Sequence, residues 1–265
     1  MAAPPAGPAE AAADQHARWL LARLQAAPWR LLGCREAPGR WHMGRDEALL
    51  AEAAAGGASA VLRFYTWAPP AVSLGRFQRV EGVNLEYAAR RGWDVVRRPT
   101  GGRGVLHQHE LTYAIVLPPD IVGGVGVRSS YRVLTGLLEV GLQRLGAGAG
   151  WDLNPCPGSS RPTSGRAGSP ANCFALAAEC DTVVGQGKLV GSAQVRRDGA
   201  LLQHGAILLD AEPDAWEALF GEPGRLLSLR TLLGRRPSCE EVQAALCAGL
   251  TARGVALEAE EVASP

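Results

Sequence analysis

The sequence predicts an α+β protein with a mixed β-sheet core flanked by helices, on three observations. First, VLRFYTW (61–67) and AVSLG (71–75) are β-rich runs separated by the Pro69-Pro70 turn. Second, over 131–145 the residues Val133, Leu134, Leu137, Leu138, Leu142 and Leu145 recur at helical spacing. Third, two β-like runs, 189–196 and 200–210, flank Asp198-Gly199, a dipeptide suited to the positive φ angles of a two-residue hairpin turn.

The remaining elements follow in chain order. Residues 1–28 are rich in Ala and Pro and read as a loose tail leading into a short amphipathic helix. They lack the charged start and apolar run of a leader peptide, and any apolar span of about 18 residues. A short strand is predicted at 29–32, a helix at 45–55, a helix at 85–91, and strands at 93–97 and 111–117. After the 131–145 helix, residues 146–172 (GAGAGWDLNPCPGSSRPTSGRAGSPAN) carry too few apolar side chains to build a core and read as a flexible loop. A strand at 181–184 precedes the hairpin. The last 55 residues read as helical: Ser238 and Glu241 stand in capping-box spacing before a helix with Val242, Leu246, Cys247 and Leu250 near one face. No internal repeat is present.

Composition excludes several classes. The chain has 265 residues, 47% of them hydrophobic and 20% charged, as in an ordinary globular protein of the cytoplasm. A net charge of +1 provides no basic field for nucleic acid and no polybasic patch for a membrane. The six cysteines (Cys34, Cys156, Cys173, Cys180, Cys239 and Cys247) are irregularly spaced and include no C-x-x-C pair, which disfavours disulfides and structural zinc. Most read as small buried hydrophobes. His107 and His109 would share one side of a strand, but no third ligand stands at suitable spacing, so no metal is expected.

The segment RRPTGGRGVLHQH (97–109) concentrates charge and small residues between apolar runs. Gly101 and Gly102 allow a sharp turn and a close backbone approach, which serves a plain turn as well as a ligand loop. Arg97, Arg98 and His107 beside that bare backbone favour a ligand bearing a carbonyl or phosphate. Lys188, in the turn Gly185-Gln186-Gly187-Lys188, would by itself be an ordinary solvated lysine. His204, polar on an apolar strand, reads either as a satisfied core histidine or as the rim of a pocket.

Four blocks in this order, WHMGRDEALL (41–50), LRFYTWAPPAVSLGRFQ (62–78), VVRRPTGGRGVLHQHELTYAIV (95–116) and GKLVGSAQVRRDGALLQHGAILLD (187–210), resemble the biotin/lipoate protein ligase superfamily. The likeness covers roughly 29–250 and is nearest to the cysteine-dependent octanoyltransferases of lipoate biosynthesis found in Bacillus-like bacteria. Gly104 departs from it, standing where alanine is commoner. The resemblance implies a ligase-like catalytic domain at 29–211 with a helical extension of the same domain at 212–265. It implies that Cys173 is an acyl-thioester nucleophile and Lys188 the lysine that activates it. Arg98, Gly101, Gly102, His107 and His204 would then border an acyl pocket, and Ser192, Ala193 and Gln194 would offer donors to a tetrahedral oxyanion. The chemistry is coherent: a free thiol near pKa 8.5 is only a few per cent thiolate at neutral pH, and an ammonium within ~4 Å favours the thiolate.

The implied reaction moves octanoyl from acyl carrier protein to Cys173 and then to a lysine of a lipoyl-carrier protein such as the glycine cleavage H protein. It uses no cofactor and no ATP, in a monomer. Cys180 is the rival nucleophile. Alternatives are an ATP-dependent lipoate-protein ligase, an octanoyl amidotransferase between lipoyl domains, and a non-catalytic binding module that retains the pocket.

Overall fold

The computed structural model describes residues 8–146, 153–155, 171–175 and 181–260. Helix α1 (Pro8–Ala26) leads into β1 (Trp29–Ala37), α2 (Gly39–Ala54), β2 (Ala60–Trp67) and β3 (Ala71–Leu74). Then come α3 (Leu85–Arg90), β4 (Asp94–Arg97), β5 (Val105–His107), β6 (Glu110–Leu117), α4 (Pro119–Val122), α5 (Val127–Leu145) and β7 (Leu153–Pro155). The remaining elements are β8 (Thr182–Val184), β9 (Gly187–Arg197), β10 (Ala200–Leu208), α6 (Pro213–Phe220), α7 (Leu229–Leu233), α8 (Cys239–Ala252) and β11 (Leu257–Glu260).

An eight-stranded sheet in the order β11-β1-β2-β6-β10-β9-β8-β7 forms the centre, and a three-stranded sheet, β4-β3-β5, lies apart from it. The large sheet is mixed: β1 runs parallel to β2 and β11, and β2, β6, β10 and β9 are antiparallel neighbours. Side chains alternate between its faces. On one face Leu62, Phe64, Leu111, Tyr113 and Ile115 pack with Leu20 and Leu24 of α1 and with the apolar stripes of α5 and α8. The other face is shared. Tyr65, Trp67, Ala114 and Val116 meet Met43, Leu49, Leu50 and Ala53 of α2. Ala206 and Leu208 meet Val72, Leu74, Val105 and Leu106 of the small sheet. Every residue of β6 is buried, which is why its sequence, ELTYAIVL, does not alternate apolar residues with exposed polar ones.

Helices α5 and α8 approach until their backbones touch. A Cβ added to Gly141 would lie 2.5 Å from Leu246 Cα, and one added to Gly249 would lie 2.4 Å from Gly141 N. The glycines that weigh against helix by propensity are what permit this crossing. As its spacing predicts, α8 is capped by Ser238, whose Oγ accepts from Glu241 N–H at 3.1 Å.

The structure departs from the sequence-based expectations at several points. Strand β1 continues to Ala37 through an irregularity between Leu32 and Arg35, and its second half pairs with Tyr65, Thr66 and Trp67. Helix α2 starts at Gly39, six residues before the apolar spacing becomes regular. The C-terminal segment is not wholly helical: β11 joins the sheet edge beside β1, through backbone pairing that LEAE does not advertise. Within the expected 146–172 loop, β7 pairs with β8. His107 and His109 do not share a strand face, because the chain crosses from the small sheet to the large one between them. Cys34 is exposed rather than buried, while Cys239 and Cys247 pack half-buried against the core. Cys156, Cys180 and most of 146–172 lie outside the described residues. No helix among those described is long and apolar enough to cross a membrane.

Candidate active site

Cys173 is fixed by backbone bonds to the motif loop, donating its N–H to Gly104 O at 2.8 Å, while Gly104 N–H donates to Ala171 O at 2.8 Å. Asn172 Oδ1 accepts from Phe174 N–H at 2.6 Å and so closes the turn around the sulfur. Gly104 has a structural reason for lacking a methyl group, since a Cβ there would sit 2.4 Å from the Phe220 ring. The ring takes the space an alanine would need.

Lys188 is not in a turn. It is the second residue of β9, with its N–H bonded to Arg225 O at 2.7 Å and its carbonyl accepting from Leu227 N–H at 3.1 Å. Its side chain is 1% exposed. Nζ donates to Asp181 Oδ2 at 2.7 Å and to Cys173 O at 2.9 Å, and stands 3.7 Å from Cys173 Sγ. It also lies 4.9 Å from the centre of the Phe174 ring. A carboxylate partner at this depth offsets the removal of an ammonium from water. Asp181 Oδ1 in turn accepts from Ser192 N–H at 3.3 Å, tying the Gly191–Gln194 segment to the same centre.

A cavity open to solvent at its mouth is bordered by Cys173 and by the faces of both sheets. Its floor follows one row across the large sheet, where Gly191 is paired with Ala206, Ala206 with Thr112, and Thr112 with Tyr65. The first three carry little or no side-chain bulk. The row ends against Tyr65 and Trp67, with Met43 of α2 alongside. Ser73, Val105 and His107 of the small sheet form the opposite wall. The aromatic end is held in place: Tyr65 OH donates to Asp46 at 3.0 Å, and Trp67 donates to Thr112 Oγ1 at 2.9 Å while stacking on His107 at 3.9 Å.

Two polar networks support this cavity. In one, Arg98 is 5% exposed and spends its donors on the carbonyls of Ser73, Gly101 and Arg103 and on Ser73 Oγ, with no carboxylate partner among the described residues. Ser73 Oγ lies 2.8 Å from His107 Nε2, and His107 Nδ1 lies 3.0 Å from Glu110 Oε1. Burial pushes Glu110 up to about 8 and His107 well below its ordinary value, with Arg98 adding to the latter. Both are therefore neutral near pH 7, and their contact is a hydrogen bond rather than an ion pair. Burial also lowers Arg98, which Cys173 counteracts; a guanidinium remains charged throughout.

The second network centres on Asp46 of α2, which is fully buried. It bonds Arg63 at 2.6 Å and His204 Nδ1 at 2.9 Å, and His204 Nε2 reaches Thr100 Oγ1 at 2.7 Å. Burial opposes ionisation of Asp46, but His204 and Arg63 outweigh it and hold the carboxyl below its usual range. His42 is pushed down to about 4 by burial and by Arg63. His204 is thus both a satisfied core histidine and a lining residue of the cavity.

Of the residues singled out in the sequence, Cys173, Arg98, His107, Ser192, Ala193 and His204 border the cavity. Gly101, Gly102, Gln194 and Lys188 are not among its lining; Lys188 reaches Cys173 from beneath the cavity surface. Gly102 has φ +94° and packs against Gly75, where a Cβ would be 1.9 Å from Gly102 O, so the glycine pair seats Arg98 in the wall. Gln194 donates to Gln203 at 2.6 Å and accepts from Ser130 at 3.0 Å. The Ser192 N–H, an expected oxyanion donor, is taken by Asp181. Sequence reasoning missed Asp181, an isolated acid with no periodic signal around it. It also missed Asp46, for which a signal exists: His42 and Asp46 fall on the same helical stripe as Met43, Leu49, Leu50 and Ala53, a core position for a charged group.

Residues 38–251 match the lipoyl protein ligase A/B catalytic domain. The chain is 39% identical over 250 residues to the octanoyltransferase LipM of Kyrpidia tusciae, covering 88% of this chain and 90% of that protein. Against the octanoyltransferase LipM of Moorella thermoacetica the identity is 39% over 214 residues, covering 79% and 75%. Among solved structures, lipoate-protein ligase A bound with ATP superposes with a TM-score of 0.69 at 26% identity, covering 88% of this chain and 89% of that one. The bi-partite lipoate protein ligase of Thermoplasma acidophilum shares the fold, with a TM-score of 0.63 at 24% identity, covering 89% and 87%. With the domain matched across most of its length, and relatives this similar over most of theirs, the chain belongs to the lipoyl protein ligase A/B catalytic domain family.

Proposed function

We propose that the protein is an octanoyltransferase that takes octanoyl from acyl carrier protein onto Cys173 and delivers it to a lysine of a lipoyl-carrier protein, such as the glycine cleavage H protein. The observation that carries this reading is the buried ammonium of Lys188, 3.7 Å from Cys173 Sγ and held by Asp181. Its relatives' octanoyltransferase activity supports the same assignment.

The thiolate of Cys173 attacks the donor thioester carbonyl, and the donor arm leaves as a thiolate that takes a proton from solvent. One thioester replaces another, so no nucleotide is consumed. A neutral lysine amine of the acceptor then attacks the acyl-enzyme, forming an amide, giving up one proton to solvent and releasing Cys173 as thiolate beside Lys188. Charge favours this path. Among the described residues the buried charged groups around the sulfur include Lys188⁺, Asp181⁻ and Arg98⁺, and these favour a negative charge on sulfur or on the tetrahedral oxygen.

The floor row accounts for an acyl chain of about eight carbons. Strands lie about 4.8 Å apart, so Gly191 to Thr112 spans roughly 10 Å. An extended chain advances ~1.2 Å per bond, so seven C–C bonds reach roughly 8–9 Å, ending against the Tyr65–Trp67 wall.

The test is a transfer assay without ATP, with octanoyl-acyl carrier protein as donor and apo H protein as acceptor. Octanoyl-lysine on the acceptor is expected from wild type. A product formed only from free octanoate or lipoate plus ATP would instead make the protein a ligase. Octanoyl-lipoyl domain working as donor where acyl carrier protein does not would make it an amidotransferase.

A further inference from the structure

The loop GRFQRV (75–80), which leaves β3, forms a ledge outside the cavity and is tied down on three sides. Arg97 Nη1 donates to the carbonyls of Gly75, Arg76 and Gln78 at 2.6, 3.2 and 2.9 Å. Arg76 N–H donates to Thr100 O at 2.8 Å. Gln78 Nε2 donates to Ala171 O at 2.9 Å, two residues before the nucleophile. On this fixed ledge Phe77 is 83% exposed, more than any other large apolar side chain among those described, with the Arg76 guanidinium 5.3 Å from its ring.

The charges around Phe77 are unbalanced. Arg76, Arg97 and Arg103 bound the same loops, and none is paired with a carboxylate among the described residues. Arg79, on the same loop, differs: it bonds Glu81 at 2.7 Å. The ledge therefore sets cations with no carboxylate partner among the described residues, and an exposed aromatic ring, beside the Cys173 segment.

We propose that this ledge is the docking surface for the acyl donor, a carrier protein with an acidic face and an acyl arm joined through a phosphodiester. The inference rests on the acyl-transfer reading and extends it to the partner's chemistry. Carboxylates and the arm's phosphate meet the three guanidinium groups, which steer the encounter and bind phosphate well. Phe77 supplies the apolar contact. The hydrogen bond from Gln78 to Ala171 places a partner on the ledge next to the Cys173 segment, so the arm enters the cavity mouth directly. The lipoyl-carrier acceptor needs no phosphate site, and the donor fits the arginine cluster better.

The test compares two donors with wild type, Phe77→Ser and Arg76→Glu. Acylation of Cys173 is followed by intact mass against rising octanoyl-acyl carrier protein, and separately against octanoyl-pantetheine, which lacks both protein and phosphate. Each substitution should raise KM for the carrier-bound donor about tenfold, leave its kcat within about twofold, and leave loading from octanoyl-pantetheine unchanged. Unchanged KM for the carrier, or equal loss with both donors, would each overturn the proposal. Wild type that loads from neither donor sinks the transfer reading itself, and the docking proposal with it.

Discussion

Beside Cys173 a buried lysine and aspartate pair as charges, whereas beside Trp67 a buried glutamate and histidine are neutral. Lys188 and Asp181 meet at 2.7 Å, both about 2% exposed or less, and Arg98 adds a second cation with no carboxylate partner among the described residues. Beside Trp67, Glu110 and His107 are as deeply buried yet hold no charge, because their hydrogen bonds do not offset the loss of water and Arg98 further disfavours a charged His107. Thiolate and oxyanion chemistry needs field at one end, and a hydrocarbon chain needs its absence at the other. Burial is the same at both ends; the partners differ.

The largest effects should come from the charged end. Cys173→Ala, which lacks the proposed nucleophile, is expected to abolish acylation, and Lys188→Met to slow acylation of Cys173 on the order of 10³-fold by single-turnover assay. Acylation of Cys173→Ala at the wild-type rate would place catalysis elsewhere. Asp181→Asn should come next. It leaves the Lys188 ammonium buried without a counter-charge, a loss of about 3–5 kcal/mol of stability in denaturant titration, along with slowed acylation.

The neutral end should answer in selectivity rather than rate. Ala206→Leu places a branched side chain in the middle of the floor row. It is expected to cut octanoyl loading by about tenfold while sparing a four-carbon donor, as methylenes without room lose ~0.8 kcal/mol each. Equal loss at every chain length would separate the acyl chain from this row.

The smallest effect on activity belongs to Glu110→Gln, which should be visible in stability. Burial raises the Glu110 pKa to about 8 in the fold, above the 4.5 of a free carboxyl. Between those values the unfolded chain has released a proton that the folded protein keeps, so stability falls as pH rises from 4.5 to 8 and levels off above. The slope from one such group is about 1.4 kcal/mol per pH unit. Glu110→Gln should flatten thermal or denaturant stability against pH in that window. An unchanged slope would mean that Glu110 is ionised in the fold and that the neutral end is not neutral.

How far the sequence discloses this architecture depends on how local the determining contacts are. The α5 stripe and the α8 cap rest on neighbours three or four residues apart, and both are visible in sequence. So is the 189–210 hairpin around Asp198-Gly199. The pairing of β11 with β1 joins residues more than two hundred positions apart and leaves no mark on LEAE. At the site, the closeness of Cys173 to Lys188 has no local pattern behind it and came with the family resemblance, while Asp181 carries none at all. The glycine pair was read as a pocket wall because absence of side chain says that something lies close, not what it is. Here it is Gly75 and Arg98. Gly104 teaches the same point, since its reason is the ring of Phe220.

The central claim is that Cys173 becomes covalently octanoylated without nucleotide. Wild type, Cys173→Ala and Lys188→Met are each incubated with octanoyl-acyl carrier protein in the absence of ATP, weighed intact, and digested to map any adduct. One octanoyl group on Cys173 of wild type, removed by hydroxylamine, absent from Cys173→Ala and slow to form in Lys188→Met, is the predicted result. An adduct on another residue, or none until ATP and free octanoate are supplied, would contradict it.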